Sequence, residues 1–231
     1  NRLPVWSPDG KRIAYGSTKA GAFNLYWKPA DGSGAEERLT TSENDQHATS
    51  WSSDGKFLAF METAPATGLD IWVLPLESER KRRPFLQTQF NQAAAAFSPD
   101  GQWLAYSSNE SGRNEVYVQP FPGPGGKWQI STEGGFTPLW SRNGRELFFR
   151  SGNRVMVTSV QTRPAFSAAK PTLLFEGNYA ATGSFPYYDV APDGQRFLML
   201  KSAEEQSAIT QLNMVLEWFE ELKRRVPSGK K

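Results

Sequence analysis

Trp6-Ser-Pro-Asp-Gly-Lys-Arg-Ile-Ala-Tyr15 is followed by four variants of itself: Trp51-Ser-Ser-Asp-Gly-Lys-Phe-Leu-Ala-Phe60, Phe97-Ser-Pro-Asp-Gly-Gln-Trp-Leu-Ala-Tyr106, Trp140-Ser-Arg-Asn-Gly-Arg-Glu-Leu-Phe-Phe149 and Val190-Ala-Pro-Asp-Gly-Gln-Arg-Phe-Leu-Met199. Between the turn residues Asp9, Asp54, Asp100, Asn143 and Asp193 the spacings are 45, 46, 43 and 50 residues. In the first copy Pro8 presets the first turn position, Asp9 suits the second and Gly10 accepts a left-handed backbone, so a tight hairpin joins two strands. Asn143 in the fourth copy tolerates the same geometry.

Working outward from the turn, the residues before it form an inner strand and those after it a second strand. A third follows in Asn24–Trp27, Asp70–Val73, Glu115–Val118 and Arg154–Val157, and a fourth in Glu37–Thr40, Pro84–Leu86, Lys127–Ser131 and Thr172–Phe175, each bounded by Gly, Pro or polar residues. Four strands in about 45 residues is one propeller blade. The expected fold is all-β: a β-propeller of five recognisable four-stranded blades at 1–42, 43–88, 89–132, 133–180 and 181–217, the last incomplete. The run Ala93–Ala96 reads as a helix by propensity, but the repeat makes it an inner strand in the crowded centre of the ring. Trp6, Trp51, Phe97 and Trp140 are expected as wedges between neighbouring blades, with Tyr15, Phe60, Tyr106, Phe149 and Met199 recurring on the second strand.

The end of the chain is less regular. Leu212, Val215, Leu216, Phe219 and Leu222 recur at helical spacing, whereas blade five needs its third strand where Ile209–Glu217 lies. The reading assigns a strand there, then a short C-terminal helix over about 218–225 and a basic tail within 218–231. Blade five then lacks a fourth strand. Either the five blades belong to a larger six- to eight-bladed ring, or they stand as an open arc with an exposed edge.

Composition narrows the function classes. Twenty-six basic against 24 acidic residues give a net charge of +2, with the basic excess in the tail, so no nucleic-acid partner is expected. The absence of cysteine excludes disulfides and thiolate metal sites and suits either redox compartment. No apolar run approaches the roughly 18 residues of a membrane span, so no membrane contact by this chain is expected.

The repeat resembles that of TolB-type β-propellers, which are related in shape to tryptophan-aspartate repeat propellers. A sharper likeness lies in Tyr117-Val-Gln-Pro-Phe-Pro-Gly-Pro-Gly-Gly-Lys-Trp-Gln-Ile-Ser131, Leu173-Leu-Phe-Glu-Gly177, Tyr188-Asp-Val-Ala-Pro-Asp-Gly194 and Asn213-Met-Val-Leu-Glu-Trp-Phe-Glu-Glu-Leu-Lys223 followed by Val226-Pro227. Together they are similar to the C-terminal propeller region of bacterial transmembrane serine/threonine kinases and their stand-alone relatives. That resemblance implies a sensory or protein-interaction propeller, periplasmic or otherwise extracytoplasmic, with the cytoplasm as the alternative. The phosphate-binding loop and catalytic Asp residues of such kinases are absent from these 231 residues, so no phosphoryl transfer is expected.

Other chemistry is scarce. His47 is the only histidine, which rules out a His-rich metal centre, and no Gly-x-Ser-x-Gly nucleophile elbow is present. The aspartates of the turns lie in different blades and cannot share an ion. No catalytic residue, metal or cofactor is expected. Aligned on the wedge, His47 starts inner strand two, with Arg2, Ala93, Phe136 and Pro186 at equivalent places around one mouth of the channel. Arg2, Gln46, His47, Gln92 and Phe136 are the candidate ligand-binding residues, with Asp189 nearby. They suit a scaffold that binds a protein, peptide or small envelope ligand at the ring face or pore mouth. The alternative is a propeller associated with a prolyl-oligopeptidase-type peptidase, or acting as a lyase or lactonase; that requires converging His, Asp and Glu residues.

Overall fold

The computed structural model describes residues 1–77, 79–180 and 184–201. The third strand and helix expected beyond Lys201 lie outside them. Blade 1 comprises β1 (Arg2–Trp6), β2 (Arg12–Ser17), β3 (Asn24–Pro29) and β4 (Glu37–Arg38). Blade 2 comprises β5 (Gln46–Trp51), β6 (Phe57–Ala64), β7 (Gly68–Pro75) and β8 (Arg83–Leu86). In blade 3 the strands are β9 (Gln92–Phe97), β10 (Trp103–Ser108), β11 (Glu115–Pro120) and β12 (Trp128–Gln129). Blade 4 has β13 (Phe136–Trp140), β14 (Glu146–Ser151), β15 (Arg154–Gln161), β16 (Ser167–Ala168) and β17 (Thr172–Glu176). Blade 5 contributes β18 (Tyr188–Val190) and β19 (Phe197–Met199). Within each blade successive strands pair antiparallel in up-and-down order, as the repeat predicts, except that β17 of blade 4 pairs with β15 and not with β16.

The hairpin between first and second strands is built locally. Ser7 donates to Asp9 Oδ1 at 2.6 Å while its Oγ accepts from the Arg12 amide, and Asp9 also accepts from the Lys11 amide at 3.0 Å. These bonds hold the Asp9 carboxyl below its ordinary pKa. Gly10 closes the turn with φ +69°. The same serine-to-acid bond recurs at Ser52–Asp54 and Ser98–Asp100, and Ser141–Asn143 repeats it with an amide oxygen. In blade 5 alanine replaces the serine, so the serine-to-acid bond is lost while the Gln195 amide still donates to Asp193.

Fourth strands are shorter than the sequence suggests in blades 1 and 3. Glu37–Thr40 narrows to β4 and Lys127–Ser131 to β12, for one reason. The Thr40 hydroxyl accepts the Leu25 amide at 3.0 Å, and the Ser131 hydroxyl accepts the Val116 amide at 2.8 Å. A side-chain oxygen thus replaces the next ladder carbonyl, so the strand ends there while the backbone donor stays satisfied. Blade 4 shows an unforeseen feature: the long β15 pairs with β17 through Arg154–Val157 and with β16 through Val160 and Gln161.

Apolar cores lie between blades. Leu25 and Trp27 of blade 1 meet Leu58, Phe60 and Leu74 of blade 2; Ile71 and Val73 of blade 2 meet Phe97 and Leu104; Val116 and Val118 of blade 3 meet Leu147 and Phe149. Three of the four wedges behave as expected. Trp51 stacks on Trp27 at 5.9 Å, Phe97 is buried against blade 2, and Trp140 Nε1 donates to the Ala96 carbonyl of blade 3 at 3.0 Å. Trp6 departs from the expectation. It is 58% exposed, because a wedge is buried by the blade before it and no described strand lies there.

The inner strands of blades 1, 3 and 4 carry a bulge, at which Leu3, Ala94 and Thr137 adopt φ near +50° (53°, 52° and 51°). In blades 3 and 4 the bulged amide reaches back to the preceding blade. Ala94 donates to Met61 Sδ at 3.2 Å and Thr137 to Ser107 Oγ at 3.0 Å. These two bulges therefore tie one blade to the last, which offsets the strained backbone.

Candidate functional site

The first residues of the inner strands bring some predicted side chains together and separate others. Arg2 is exposed, with its guanidinium 5.0 Å from the centre of the Phe23 ring. Phe23 in turn lies 5.1 Å from the His47 ring, whose other side meets Phe185 edge-on at 5.5 Å. His47 is buried, and its Nδ1 has no hydrogen-bond partner. Burial lowers its pKa below the usual 6.5; Asp45 opposes that shift and Arg2 adds to it. Gly16 makes the close packing possible. A Cβ there would come within 3.0 Å of the Gln46 carbonyl oxygen and 3.3 Å of His47 Nδ1. Arg2 and His47 thus form one cluster with Phe23 and Phe185.

The two glutamines are already engaged, each with a threonine at the end of the preceding blade. Gln46 accepts from the Thr40 hydroxyl and donates to Glu62, and Glu62 also takes an ion pair from Arg82 and a 3.0 Å bond from Ser42. Gln92 donates to Thr88 Oγ1, while its buried Oε1 is without a partner. Phe136, half-buried, stands opposite Arg150 in the β13–β14 ladder. Arg150 is buried and donates to the Gly152 carbonyl at 3.0 Å, and desolvation lowers its pKa.

Further along the same inner strands lies a cavity of about 490 Å³. Its lining includes Leu3, Trp6, Leu139, Phe185 and Tyr187, and Asp189 is its one charged residue. None of the five candidate residues lines it, although Asp189 and Pro186 do. Tyr188 positions this wall: its buried hydroxyl donates to the Thr137 carbonyl at 2.7 Å, pinning blade 5 to blade 4, and burial raises its pKa. Phe197 adds contacts to Phe148 and Phe175 at 5.1 and 5.3 Å. Among the described residues no group of three or more His, Asp or Glu side chains converges. An apolar cavity rimmed by a few polar groups offers contact area and orientation, the chemistry of recognition.

Sequence reasoning missed Phe23, Leu139, Phe185 and Arg150. Phe185 was within reach: in the aligned repeat Phe185-Pro186 takes the places of Gln46-His47. The others depend on loop and ladder geometry that the repeat does not encode.

Neither a family model nor a curated protein matches the sequence. Solved structures do. A protein described as TolB from Agrobacterium tumefaciens superposes with a TM-score of 0.67 at 20% identity, over 87% of this chain and 73% of that one. TolB from Acinetobacter baumannii gives 0.65 at 21% identity, over 84% of this chain. The fold is that of a TolB-type β-propeller. This propeller spans 47% of the Acinetobacter chain. A structure of prolyl endopeptidases also aligns, with a TM-score of 0.53 at 12% identity, over 85% of the propeller and 34% of that chain.

Proposed function

We propose that this propeller is a non-catalytic scaffold that takes a protein or peptide segment at the centre of its ring. On this reading it is the sensory or interaction region of a bacterial receptor-type serine/threonine kinase or of a TolB-like protein. The observation that carries the proposal is the apolar cavity of about 490 Å³ along the inner strands, next to the Arg2–Phe23–His47–Phe185 cluster. Side chains such as Leu3, Leu139 and Tyr187 supply contact area, while Asp189 in the lining supplies orientation. The sequence resemblance to kinase-associated propellers supports an extracytoplasmic location, and a chain without cysteine needs no oxidative pairing there.

Selection of a random-peptide phage library on the immobilised 231-residue chain tests this reading. The selected peptides are then titrated calorimetrically against the wild type and Leu139→Asp. The expected result is binding to the wild type and a loss of affinity in the variant, with its melting curve retained. Failure to enrich any peptide, or equal binding to both proteins, overturns the proposal.

A further inference from the structure

We propose that the groove between the fourth strand of blade 2 and the Pro120–Gly125 loop of blade 3 is a docking site of its own, for a peptide segment that carries an aromatic residue flanked by acidic ones. The groove encloses about 360 Å³ and shares no lining residue with the cavity along the inner strands. That volume is at the small end of ligand pockets and suits one large side chain with its neighbours. Its walls start in the sequence. The connection from third to fourth strand reads Glu77-Ser-Glu-Arg-Lys-Arg82 in blade 2, whereas in blade 3 it reads Pro120-Phe-Pro-Gly-Pro-Gly-Gly126. The Phe121 amide donates to the Gln102 carbonyl at 2.8 Å, and its ring is held among Phe57, Phe85 and Phe97 at 5.1, 6.0 and 4.9 Å. Phe121 thereby fixes the floor of the groove across the junction of blades 2 and 3. Gly125 lets the loop fold back on itself, because a Cβ there would collide with the Pro120 ring. Pro84 on one wall and Pro120, Pro122 and Pro124 on the other restrict the backbone, so little freedom is lost when a ligand enters.

Charge specifies the occupant. Among the described lining residues Arg83 alone is charged. It ends the basic run Arg80-Lys-Arg-Arg83, whose arginines are engaged differently. Arg80 pairs with Glu37 and lies over Trp27, and Arg82 pairs with Glu62 and lies over Trp72. Arg83 is exposed and has no carboxylate partner among the described residues; its guanidinium lies 5.7 Å from the centre of the Phe57 ring. A free cation at the rim of an apolar slot favours an anionic group next to an apolar one and disfavours a second cation. Strand addition does not account for such a site. β8 bonds to β7 alone, but Pro84 within it has no N–H to offer an incoming strand. Recognition therefore runs through side chains, with an aromatic ring set among Phe85, Leu86 and Phe121 and a carboxylate on Arg83.

The test titrates the full 231-residue chain with acetyl-Glu-Phe-Glu-amide and follows backbone amide shifts by NMR. Acetyl-Lys-Phe-Lys-amide and acetyl-Glu-Ala-Glu-amide are the controls for charge and for the ring. The expected result is saturable shifts in segments 83–86 and 119–125 with the first peptide, and binding at least about tenfold weaker with the other two. Arg83→Glu, at an exposed position, should invert the preference between the Glu and Lys peptides. No shift in either segment overturns the proposal. So do a preference that survives Arg83→Glu, equal binding of the alanine peptide, and shifts confined to Leu139 and its neighbours. Should Arg83→Glu not fold, Arg83→Gln decides: the Glu and Lys peptides should then bind alike, and a preference that persists overturns the proposal. Leu139→Asp should leave this titration unchanged, so this site and the one at the centre of the ring can fail independently.

Discussion

Blades 3 and 5 start from almost the same words, Ser98-Pro-Asp-Gly101 and Ala191-Pro-Asp-Gly194, and end in different packing. Every residue of β9 and β10 is buried, because blade 3 has blade 2 on one side and blade 4 on the other. In blade 5 the hairpin forms with the same turn bond, the Gly194 amide to the Ala191 carbonyl at 2.9 Å, yet Leu198 is 70% exposed. The turn is a local device. Burial is a property of the neighbours, and an isolated two-stranded hairpin gains little of it.

Substitutions of one apolar residue in each blade can break this comparison. Phe97→Ala should cost about 3–5 kcal/mol by leaving a cavity between blades 2 and 3, while Leu198→Ala should stay within about 0.5 kcal/mol. Urea denaturation of both variants checks this, and equal costs would mean that the two blades are packed alike. The hairpin itself gives the next effect. Ser98 is buried and its Oγ accepts the Trp103 amide at 3.0 Å; Ser98→Ala orphans that buried donor and should cost about 1–3 kcal/mol.

The reverse substitution sharpens the comparison. Ala191→Ser restores the missing hydroxyl opposite the Arg196 amide and should raise stability by about 0.5–1.5 kcal/mol, seen as a higher denaturation midpoint. No gain would show that the turn of blade 5 differs from the other four.

The smallest effect concerns the contact of blade 5 with His47. Burial lowers the folded pKa of His47 below 6.5, so on acidification the unfolded chain takes up the proton first. Stability is therefore full above pH 6.5 and declines as the pH falls through the lowered folded value. Because His47 is the only histidine, the slope of stability between about pH 7.5 and about pH 5.5 reports on it before most carboxylates titrate. His47→Gln should flatten that slope, and Phe185→Ala should reduce it by rehydrating the ring. A slope unaffected by Phe185→Ala would mean that the connection into blade 5 does not shield His47.

Much of the fold was legible because its unit is short. The turn residues dictate a hairpin, alternation places Tyr15, Phe60 and Tyr106 on the second strands, and the spacing predicts the blade. Some details were not legible. The ends of β4 and β12 depend on hydroxyls that reach the neighbouring third strand, and β16 depends on the length of β15. Of the site, the alignment places Arg2 and His47 at comparable positions, and the structure joins them through Phe23. It could not show that Gln46 and Gln92 are engaged by Thr40 and Thr88 of the preceding blades, nor that the cavity opens further along the strands, because both follow from side-chain packing across blades.

The sequence by itself determined the turns, the strand order and the repeat length, since each is governed by contacts between residues a few positions apart. Only the tertiary structure decided which of four equivalent wedges is exposed, how His47 is desolvated against Phe23 and Phe185, and where the apolar cavity lies. Those properties are sums over residues from different blades. A repeat that writes nearly the same words in each blade cannot encode them, because identical side chains acquire different burial from the neighbours they happen to have.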